Sequence, residues 1–457
     1  MKKYRFLSLL LAWLTALSLI CPALALEDPQ PHARAALVVY GDTGEILYDF
    51  NAREQMYPAS ITKIMTSLVV LDAVAAGEVG LDTEVTVSAW AVDLPWGSST
   101  AELRVGEVLT IEQLLYCDLL PSGNDACNVL SEAVGGTMAE FAARMNAKAA
   151  ELGMEGTHFT NPHGLHDPEH YTTAYDIYLM AHAAMENDLF RSIVRTPSYT
   201  LAATNLQPER TIYSTNAFLS SYFVPGELYP KAIGIKTGNT DEAGRCLASA
   251  AVDELGRTFY CVLLGSEYTT DENGARQYWS FSESRRLLEW AFDNFHHTVL
   301  LNQDTEDVLR EVAVSLSDEA DYVLAQPVGE IAATMPSDFD PKLIELDFDL
   351  PRSPVEAPVA AGQKLGTVTL TYQGTVYGTL DMVAMDSVTR SEFQHNIQQA
   401  KNYWSKWWVK AAVIGAAVLI LLLVLYIAVI RPRQRRVRRY SHAGGGRGGR
   451  SNYRGRR

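Results

Sequence analysis

A serine and a lysine three residues apart are the first candidates for chemistry in this sequence. Ser60 and Lys63 occur in the segment PASITK at the predicted start of a helix, so they share one helix face. A serine hydroxyl is a poor nucleophile until a neighbour removes its proton, and a lysine amine can do this when burial or a nearby cation lowers its pKa. Ser60 is therefore a candidate nucleophile, and Lys63 is a candidate general base. A lone S-x-x-K pattern is more often an N-cap followed by a surface lysine.

A second polar triplet, Ser122-Gly123-Asn124, lies between two runs with helical periodicity. We expect Gly123 to let this polar corner point into a cleft. Another S-x-N triplet occurs at 214–216, and either one alone is more often a turn or a cap. The position between two helical runs favours the first triplet.

The third candidate, Lys236-Thr237-Gly238, lies on a predicted strand edge before a hairpin. The ammonium group of Lys236 and the hydroxyl group of Thr237 are suited to hold a substrate carboxylate. Gly238 would allow the backbone to approach a ligand closely. Alone, the triplet is also compatible with an ordinary exposed strand end.

Together, in the order S-x-x-K, S-x-N and K-T-G, the three motifs resemble the signature of penicillin-binding proteins and class A β-lactamases, with Gly123 in place of the aspartate of S-D-N. Longer segments narrow the resemblance to the D-alanyl-D-alanine carboxypeptidase family, the low-molecular-mass penicillin-binding proteins. The similarity extends over most of the chain from Ala35 to Phe295. The segments that carry it are PASITKIMT (58–66), LPSGNDA (120–126), NPHGLHDPEHYTTAYD (161–176) and GIKTGNTDEAG (234–244).

This resemblance implies a role for each serine. Ser60 attacks the carbonyl of the penultimate D-alanine of a peptidoglycan stem peptide and forms an acyl-enzyme, which water then hydrolyses. Ser122 relays protons between the lysines and the leaving amine, and Asn124 binds the substrate amide. β-Lactam antibiotics mimic the D-Ala-D-Ala end and acylate Ser60 covalently.

The resemblance also implies the binding groups. Lys236 and Thr237 bind the terminal carboxylate, and the backbone N–H groups of Ser60 and Asn239 form the oxyanion hole. Asn239 stands where many relatives have histidine. Since the expected contribution is a backbone N–H group, we expect activity to survive this change, with an altered rate of deacylation.

Histidines in the family-like loop are expected to be structural. Asn161, His163 and His170 lie in this loop, and Lys63 already fills the role of the base. The chain has no H-E-x-x-H or similar zinc spacing. We therefore predict that no metal or other cofactor is needed.

Periodicity outlines the domain that must position these motifs. Alternating residues at 35–48 predict a hairpin, a helix is expected from about Ile61, and helical patterning covers 110–153. Strand patterning returns at 233–265, and a closing helix is expected at 285–295. Strands at both ends with helices between predict an α/β (α+β) domain over residues 30–296, with one sheet joining the chain ends. The resemblance implies the penicillin-binding/β-lactamase-like transpeptidase fold.

Four further segments follow this domain. Short β-rich runs separated by Pro, Gly and Asp predict a small all-β domain at 297–388. Residues 389–410 are expected to be a helical juxtamembrane stalk, and the apolar run 411–430 is long enough to be a transmembrane helix. Three tryptophans lie before this run, and six arginines follow it between 431 and 439 within a basic tail, 431–457. The positive-inside rule then places the tail in the cytoplasm and the catalytic domain outside.

The N-terminus has the pattern of a secretory signal peptide over residues 1–25. Lys2, Lys3 and Arg5 precede an apolar run, and Ala23-Leu24-Ala25 fits a cleavage site.

Charge is distributed unevenly along the chain. The formal net charge is −16, but three basic residues lie in the signal and eleven arginines in the tail, with no acidic residue in either. The segment between them has a net charge of about −30, which would repel nucleic acid. We interpret the tail as a topology signal that contacts lipid headgroups.

Four cysteines follow the signal: Cys117, Cys127, Cys246 and Cys261. An exported domain permits disulfides, and the last two flank a predicted hairpin turn. Disulfide bonding and buried free thiols are both compatible with the sequence.

Three functions remain to be distinguished. The first is a membrane-anchored serine D-Ala-D-Ala carboxypeptidase. The second is a β-lactamase of the same fold, which would need a deacylating acid that the sequence does not identify. The third is a non-catalytic peptidoglycan-binding protein, which the complete set of motifs disfavours.

Overall fold

The computed structural model describes residues 28–270 and 276–430. The predicted signal peptide, including Cys21, and the basic tail lie outside these residues. The described chain forms two compact units. The first contains the chain up to His296 together with Thr334–Phe339, and the second contains His297–Ala333 and the residues from Asp340 onward.

The α-helices are α1 Lys63–Ala75, α2 Ile111–Leu119, α3 Asn124–Gly135, α4 Met138–Glu151, α5 Ala174–Met185, α6 Asp188–Val194, α7 Trp279–Asn294, α8 Glu392–Ser405 and α9 Trp407–Leu425. Short 3₁₀ turns occur at Ala59–Thr62 and Pro341–Leu343.

The strands are β1 Ala35–Tyr40, β2 Glu45–Phe50, β3 Glu84–Thr86, β4 Val108–Thr110, β5 Ser198–Leu201, β6 Arg210–Tyr213, β7 Ala232–Thr240, β8 Gly244–Val252, β9 Thr258–Ser266, β10 Tyr268–Thr270, β11 Arg276–Tyr278, β12 Phe295–Leu301, β13 Arg310–Ser315, β14 Tyr322–Val328, β15 Ile331–Pro336, β16 Ile344–Asp349, β17 Val355–Glu356, β18 Lys364–Tyr372 and β19 Thr375–Ala384.

One five-stranded sheet organises the first unit. Its order is β2-β1-β9-β8-β7, and all neighbouring strands are antiparallel. The prediction that one sheet joins the two ends of the domain is therefore confirmed. Side chains alternate along β1 between two cores on opposite faces of the sheet. Leu37 and Val39 belong to one core, which contains apolar residues of α1 to α6. Ala36 and Val38 belong to the other core, which contains apolar residues of α7.

Side-chain caps fix the starts of several helices in this unit. Thr110 and Gln113 form a reciprocal capping box at the start of α2. The side chain of Thr173 caps α5, and that of Asn187 caps α6. Each cap of this kind contributes about 1 kcal/mol, so the local sequence sets where these helices begin.

The second unit is built on a six-stranded sheet with the order β16-β18-β19-β14-β13-β17. Its strand pairs are antiparallel except for the parallel pair β13–β17. In β18, Val368, Leu370 and Tyr372 alternate inward and are buried. The small all-β fold expected after the catalytic domain is confirmed.

The C-terminal helices follow this sheet. Residues Trp407–Ala428 form an apolar helix with a mean hydropathy of 2.9. Near its start Val409 is buried, and its most apolar stretch has no residue buried inside the protein. The helix starts four residues before the predicted segment, and the π-helical turn Tyr426–Ile430 ends it. By length and composition this helix can cross a bilayer.

All four described cysteines are buried free thiols. Cys246 and Cys261 lie on neighbouring strands, as the hairpin prediction required. Their side chains belong to the two different cores on opposite faces of the sheet. Burial raises the pKa of the Cys246 thiol to about 11, so it is protonated at neutral pH.

Candidate active site

The predicted nucleophile lies in a tight turn. Ser60 is part of the 3₁₀ turn Ala59–Thr62, and the α-helix begins only at Lys63. Ala59 has a positive φ of 49°, a conformation that costs about 1–2 kcal/mol for a residue with a side chain. The expected helix start near Ile61 is thus replaced by a tighter turn that precedes α1.

Two glycines pack against this turn from different segments. A Cβ atom on Gly238, in β7, would lie 2.8 Å from the carbonyl oxygen of Pro58. A Cβ atom on Gly164, in the loop before α5, would overlap the carbonyl oxygen of Ala59. The glycine of K-T-G therefore serves close backbone approach to the serine turn.

Lys63 is completely buried and makes three polar contacts. Its Nζ atom lies 3.0 Å from Ser60 Oγ, 2.7 Å from Asn124 Oδ1 and 3.0 Å from the carbonyl oxygen of His163. The last two oxygens accept hydrogen bonds and cannot donate. A neutral amine that donates its two protons to them directs its lone pair at Ser60.

Ser122 and Lys236 form a second polar pair. Lys236 Nζ lies 2.9 Å from Ser122 Oγ and 3.0 Å from the backbone oxygen of Thr237. Burial, and then the charge of Lys63, lower the pKa of Lys236 to about 7. Ser122 itself has a positive φ of 64°.

Glycine occupies position 123 for a different structural reason from the one we predicted. Its own φ is −67°, so the backbone there does not require glycine. A Cβ atom on Gly123 would lie 2.9 Å from both Ala101 N and Cys117 O. The Asp125 carboxylate holds the segment 101–103 in this position by accepting backbone hydrogen bonds from it. The triplet is Ser-Gly-Asn because this segment leaves no room for a side chain.

The second S-x-N triplet also contributes to the site, which the sequence analysis missed. Thr215 Oγ1 lies 2.8 Å from Thr237 Oγ1. The backbone N–H group of Thr215 donates to the oxygen of Leu120, two residues before Ser122. In the sequence, only the repeat of the S-x-N pattern pointed to residues 214–216. That pattern does not predict which strand these residues will contact.

The histidines of the loop before α5 support the site from behind. Lys63 contacts the backbone of His163, while the His163 ring nitrogen Nδ1 accepts from Leu165 N. His170 Nδ1 accepts from Thr160 N, which leaves its Nε2–H to donate to Thr62 Oγ1 at 2.9 Å. Thr62 donates in turn to the oxygen of Ala59.

Burial keeps both imidazoles neutral. It lowers the pKa of His163 to about 3, with a further contribution from the charge of Lys63, and that of His170 to about 4. Neither ring is therefore protonated at neutral pH. Asn161 closes the same loop, since its Oδ1 accepts from Gly164 N and its Nδ2 donates to Leu165 O.

These residues line one cleft of about 750 Å³. Ser60, Ser122, Thr237, Gly238 and Asn239 lie along its wall, and Lys63, Asn124 and Lys236 are buried beneath it. All eight sequence-predicted site residues are thus brought together, although their motifs are up to 179 positions apart. Within residues 28–270 and 276–430, no group of three His, Cys, Asp or Glu side chains is arranged to hold a metal ion.

The family follows from comparison with known proteins. Residues 23–267 match the D-alanyl-D-alanine carboxypeptidase family, and residues 307–390 match the C-terminal domain of penicillin-binding protein 5. The first match covers more than half of the chain. The protein belongs to the D-alanyl-D-alanine carboxypeptidase family, the low-molecular-mass penicillin-binding proteins.

Individual relatives agree with this assignment. The chain is 28% identical over 408 residues to D-alanyl-D-alanine carboxypeptidase DacF of Bacillus subtilis, covering 88% of this chain and 99% of the relative. It is 35% identical over 283 residues to a D-alanyl-D-alanine carboxypeptidase of a Streptomyces species, covering 59% and 91%. Penicillin binding protein 5 from Haemophilus influenzae has a similar structure, with a TM-score of 0.59, 26% identity and coverage of 80% and 100%. The predicted enzyme class is confirmed.

Proposed function

We propose that this enzyme removes the terminal D-alanine from peptidoglycan stem peptides through an acyl-enzyme on Ser60. The observation that carries the proposal is the 3.0 Å contact between Lys63 Nζ and Ser60 Oγ inside a cleft that also holds Ser122 and Thr237. Ser60 Oγ bonds to the carbonyl carbon of the penultimate residue while its proton passes to Lys63. The bond from that carbon to the nitrogen of the terminal D-alanine then breaks.

The leaving amine needs a proton, and Ser122 is the group that delivers it in this proposal. Its hydroxyl group accepts a hydrogen bond from Lys236, which leaves its own proton available to the departing nitrogen. The proton that Lys63 took from Ser60 makes up for the proton that Ser122 gives to the leaving amine. No proton is gained or lost over the acylation step.

Binding of the substrate end is assigned to the third motif. Lys236 supplies positive charge, and the Thr237 hydroxyl group donates a hydrogen bond to the terminal carboxylate. Asn124 binds the substrate amide, and the backbone N–H groups of Ser60 and Asn239 stabilise the oxyanion. The tight packing of Gly238 on the serine turn supports this last role, because it fixes the two N–H groups relative to one another.

Hydrolysis of the acyl-enzyme by water completes the reaction, with Lys63 as the base a second time. Penicillin would acylate the same serine and be released slowly. Rapid hydrolysis would instead identify a β-lactamase, the second candidate.

We further propose that α9 anchors the protein in the membrane with the catalytic domain outside. The arginines after Ile430 support this orientation. Ser441→Cys in the tail should react with a membrane-impermeant maleimide only after cells are permeabilised. The control Ser353→Cys, at an exposed position of the β-rich unit, should react in intact cells. The reverse pattern would refute the orientation.

Fluorescent penicillin and a peptide ending in D-Ala-D-Ala test the chemistry. The wild type should form a covalent adduct and release D-alanine, and Ser60→Ala should do neither. Ser131→Ala is the matched control, because Ser131 is a buried serine that bonds only within α3. An adduct on Ser60→Ala would refute the assignment of the nucleophile, and no adduct on the wild type would favour a non-catalytic protein.

A further inference from the structure

A buried carboxylate on α2, four residues before Ser122, has no part in the mechanism above. Asp118, near the end of α2, is completely buried. One of its oxygens accepts a hydrogen bond from Ser67 Oγ at 2.9 Å, and the other accepts from Cys127 Sγ at 2.7 Å. Buried carboxylates are rare without a cationic partner, because desolvation of the charge is costly.

The two hydrogen-bond donors, Ser67 and Cys127, lie on the same helices as two residues of the site. Ser67 lies one turn after Lys63 on α1, so the two side chains share a face. Cys127 lies three residues after Asn124 on α3, on the same side of that helix. Asp118 is therefore held between the two helices that place Lys63 and Asn124, one layer deeper than the cleft.

Charge balance explains why a carboxylate belongs there. Lys63 and Lys236 are both fully buried, and each lies within hydrogen-bond distance of a serine that lines the cleft. Two ammonium groups buried beneath the same cleft would repel each other. If Lys63 is the neutral base and Lys236 the charged carboxylate binder, one negative charge makes the buried set neutral. Asp118 supplies that charge.

We propose that Asp118 is a positioning residue that keeps Lys236 in its charged form, so that Lys236 can bind the terminal carboxylate of the substrate. This inference rests on the roles given to Lys63 and Lys236 in the proposed function. Asp118 touches neither the substrate nor the reacting atoms, and it acts through Lys236.

The electrostatics of the surrounding groups agree with this geometry. Burial raises the pKa of the Asp118 carboxyl group to about 6, while the charge of Lys63, hydrogen bonds from Cys127 and Ser67, and the charge of Lys236 oppose the rise. The hydrogen bonds from Ser67 and Cys127 favour the ionised form of this carboxylate, whichever of the two lysines carries the positive charge. In return, Asp118 raises the pKa of Lys236 against the opposing effects of burial and Lys63.

The expected signature is in KM and its dependence on pH. Asp118→Asn keeps the shape of the side chain and removes the charge, so Lys236 loses its proton at a lower pH. The rise in KM at alkaline pH should move to lower pH by about one unit. At pH values above the midpoint of this rise in both proteins, the KM of Asp118→Asn should be about tenfold higher than that of the wild type. Lowering the pH should restore the wild-type KM, whereas kcat changes little.

The test uses full-length protein in detergent and a peptide ending in D-Ala-D-Ala, with kcat and KM measured across pH. Asp176→Asn is the matched control, since Asp176 is a buried carboxylate that accepts hydrogen bonds from Gly156 N and Thr157 Oγ1 and does not line the cleft. It should leave the pH dependence of KM unchanged. An unshifted profile for Asp118→Asn, or a loss of activity equal at all pH values, would overturn the proposal.

Ser67→Ala keeps the test informative if Asp118→Asn does not fold. Loss of that hydrogen bond raises the pKa of Asp118, so the alkaline limb should move in the same direction by a smaller amount. No movement in Ser67→Ala would also count against the proposal. Parallel labelling of Ser60→Ala separates the two ideas, because an adduct there would refute the proposed function, whereas a normal profile in Asp118→Asn refutes only this inference.

Discussion

Lys63 Nζ lies 3.0 Å from Ser60 Oγ, and its two other contacts are to oxygens that can only accept. Asn124 Oδ1 and the carbonyl oxygen of His163 thereby fix the orientation of the amine. The geometry gives Lys63 a directed lone pair when it is neutral. Packing of α1 against α3 and the loop before α5 therefore determines the direction in which the base points.

Replacement of this base by arginine should abolish turnover. A guanidinium group keeps its proton at all accessible pH values, so Lys63→Arg cannot accept the proton of Ser60. We expect kcat/KM for D-alanine release to fall by at least about 10³-fold. Lys148→Arg is the control, because Lys148 pairs with the exposed carboxylates of Asp72 and Glu151 and does not line the cleft. Activity within tenfold of wild type in Lys63→Arg, with a normal thermal transition, would contradict the role of the base.

Loss of the Thr215 hydroxyl group should weaken substrate binding. That group lies 2.8 Å from Thr237 Oγ1, and either hydroxyl group can donate to the other. Once the Thr237 proton is donated to the substrate carboxylate, Thr237 Oγ1 can accept from Thr215. Thr215→Val should raise KM about fivefold, the effect of about 1 kcal/mol, with a smaller change in kcat. Thr211→Val, also in the cleft wall, should behave as wild type. If Thr215→Val and Thr211→Val give equal KM values, the two hydroxyl groups are not coupled in function.

A side chain at position 123 should damage both stability and acylation. The Cβ atom of Gly123→Ala would meet backbone atoms of Ala101 and Cys117, which cannot move aside cheaply. We expect unfolding free energy to fall by roughly 2 kcal/mol and penicillin labelling to slow. Gly77→Ala meets no atom within 4 Å and has only a positive φ to oppose it. Gly77→Ala should lower the unfolding free energy by about 1 kcal/mol and leave penicillin labelling unchanged. Slow labelling in both variants would point to a general loss of stability.

Much of the fold and of the site could be predicted from the sequence. The three motifs identified seven of the eight residues that meet at the cleft, and the family resemblance added Asn239. The order of predicted strands and helices indicated one sheet that joins the chain ends, but not the order of the strands within it. Thr215 and Asp118 were not predictable. Thr215 reaches Thr237 through long-range packing. Asp118 is an acidic residue on the buried side of a helix that is mostly apolar, where periodicity predicts only a helix. The reason for Gly123 was also hidden, since it depends on a segment twenty residues earlier in the chain.

Acid should destabilise the protein through its two buried imidazoles. The pKa values of His163 and His170 are about 3 and about 4 when folded, below the ordinary value of 6.5. Below pH 6.5 the unfolded chain therefore binds more protons than the folded protein. The stability that the neutral rings provide is present above pH 6.5, and it is lost as the pH falls toward the pKa values of the two histidines in the folded protein. Between these limits each histidine should lower the unfolding free energy by about 1.4 kcal/mol per pH unit.

The substitution His170→Gln removes one of these two contributions. Its amide can still donate to Thr62 Oγ1, so the hydrogen bond that supports the serine turn is retained in part. Urea unfolding of the full-length protein in detergent, at about pH 7, 6 and 5, should give a slope that is smaller than that of the wild type by the contribution of one histidine. His182→Gln changes a partly exposed histidine on α5 and should keep the full slope. A wild-type slope in His170→Gln would mean that His170 is already protonated in the folded protein, and its assigned role as a neutral donor to the serine turn would be wrong.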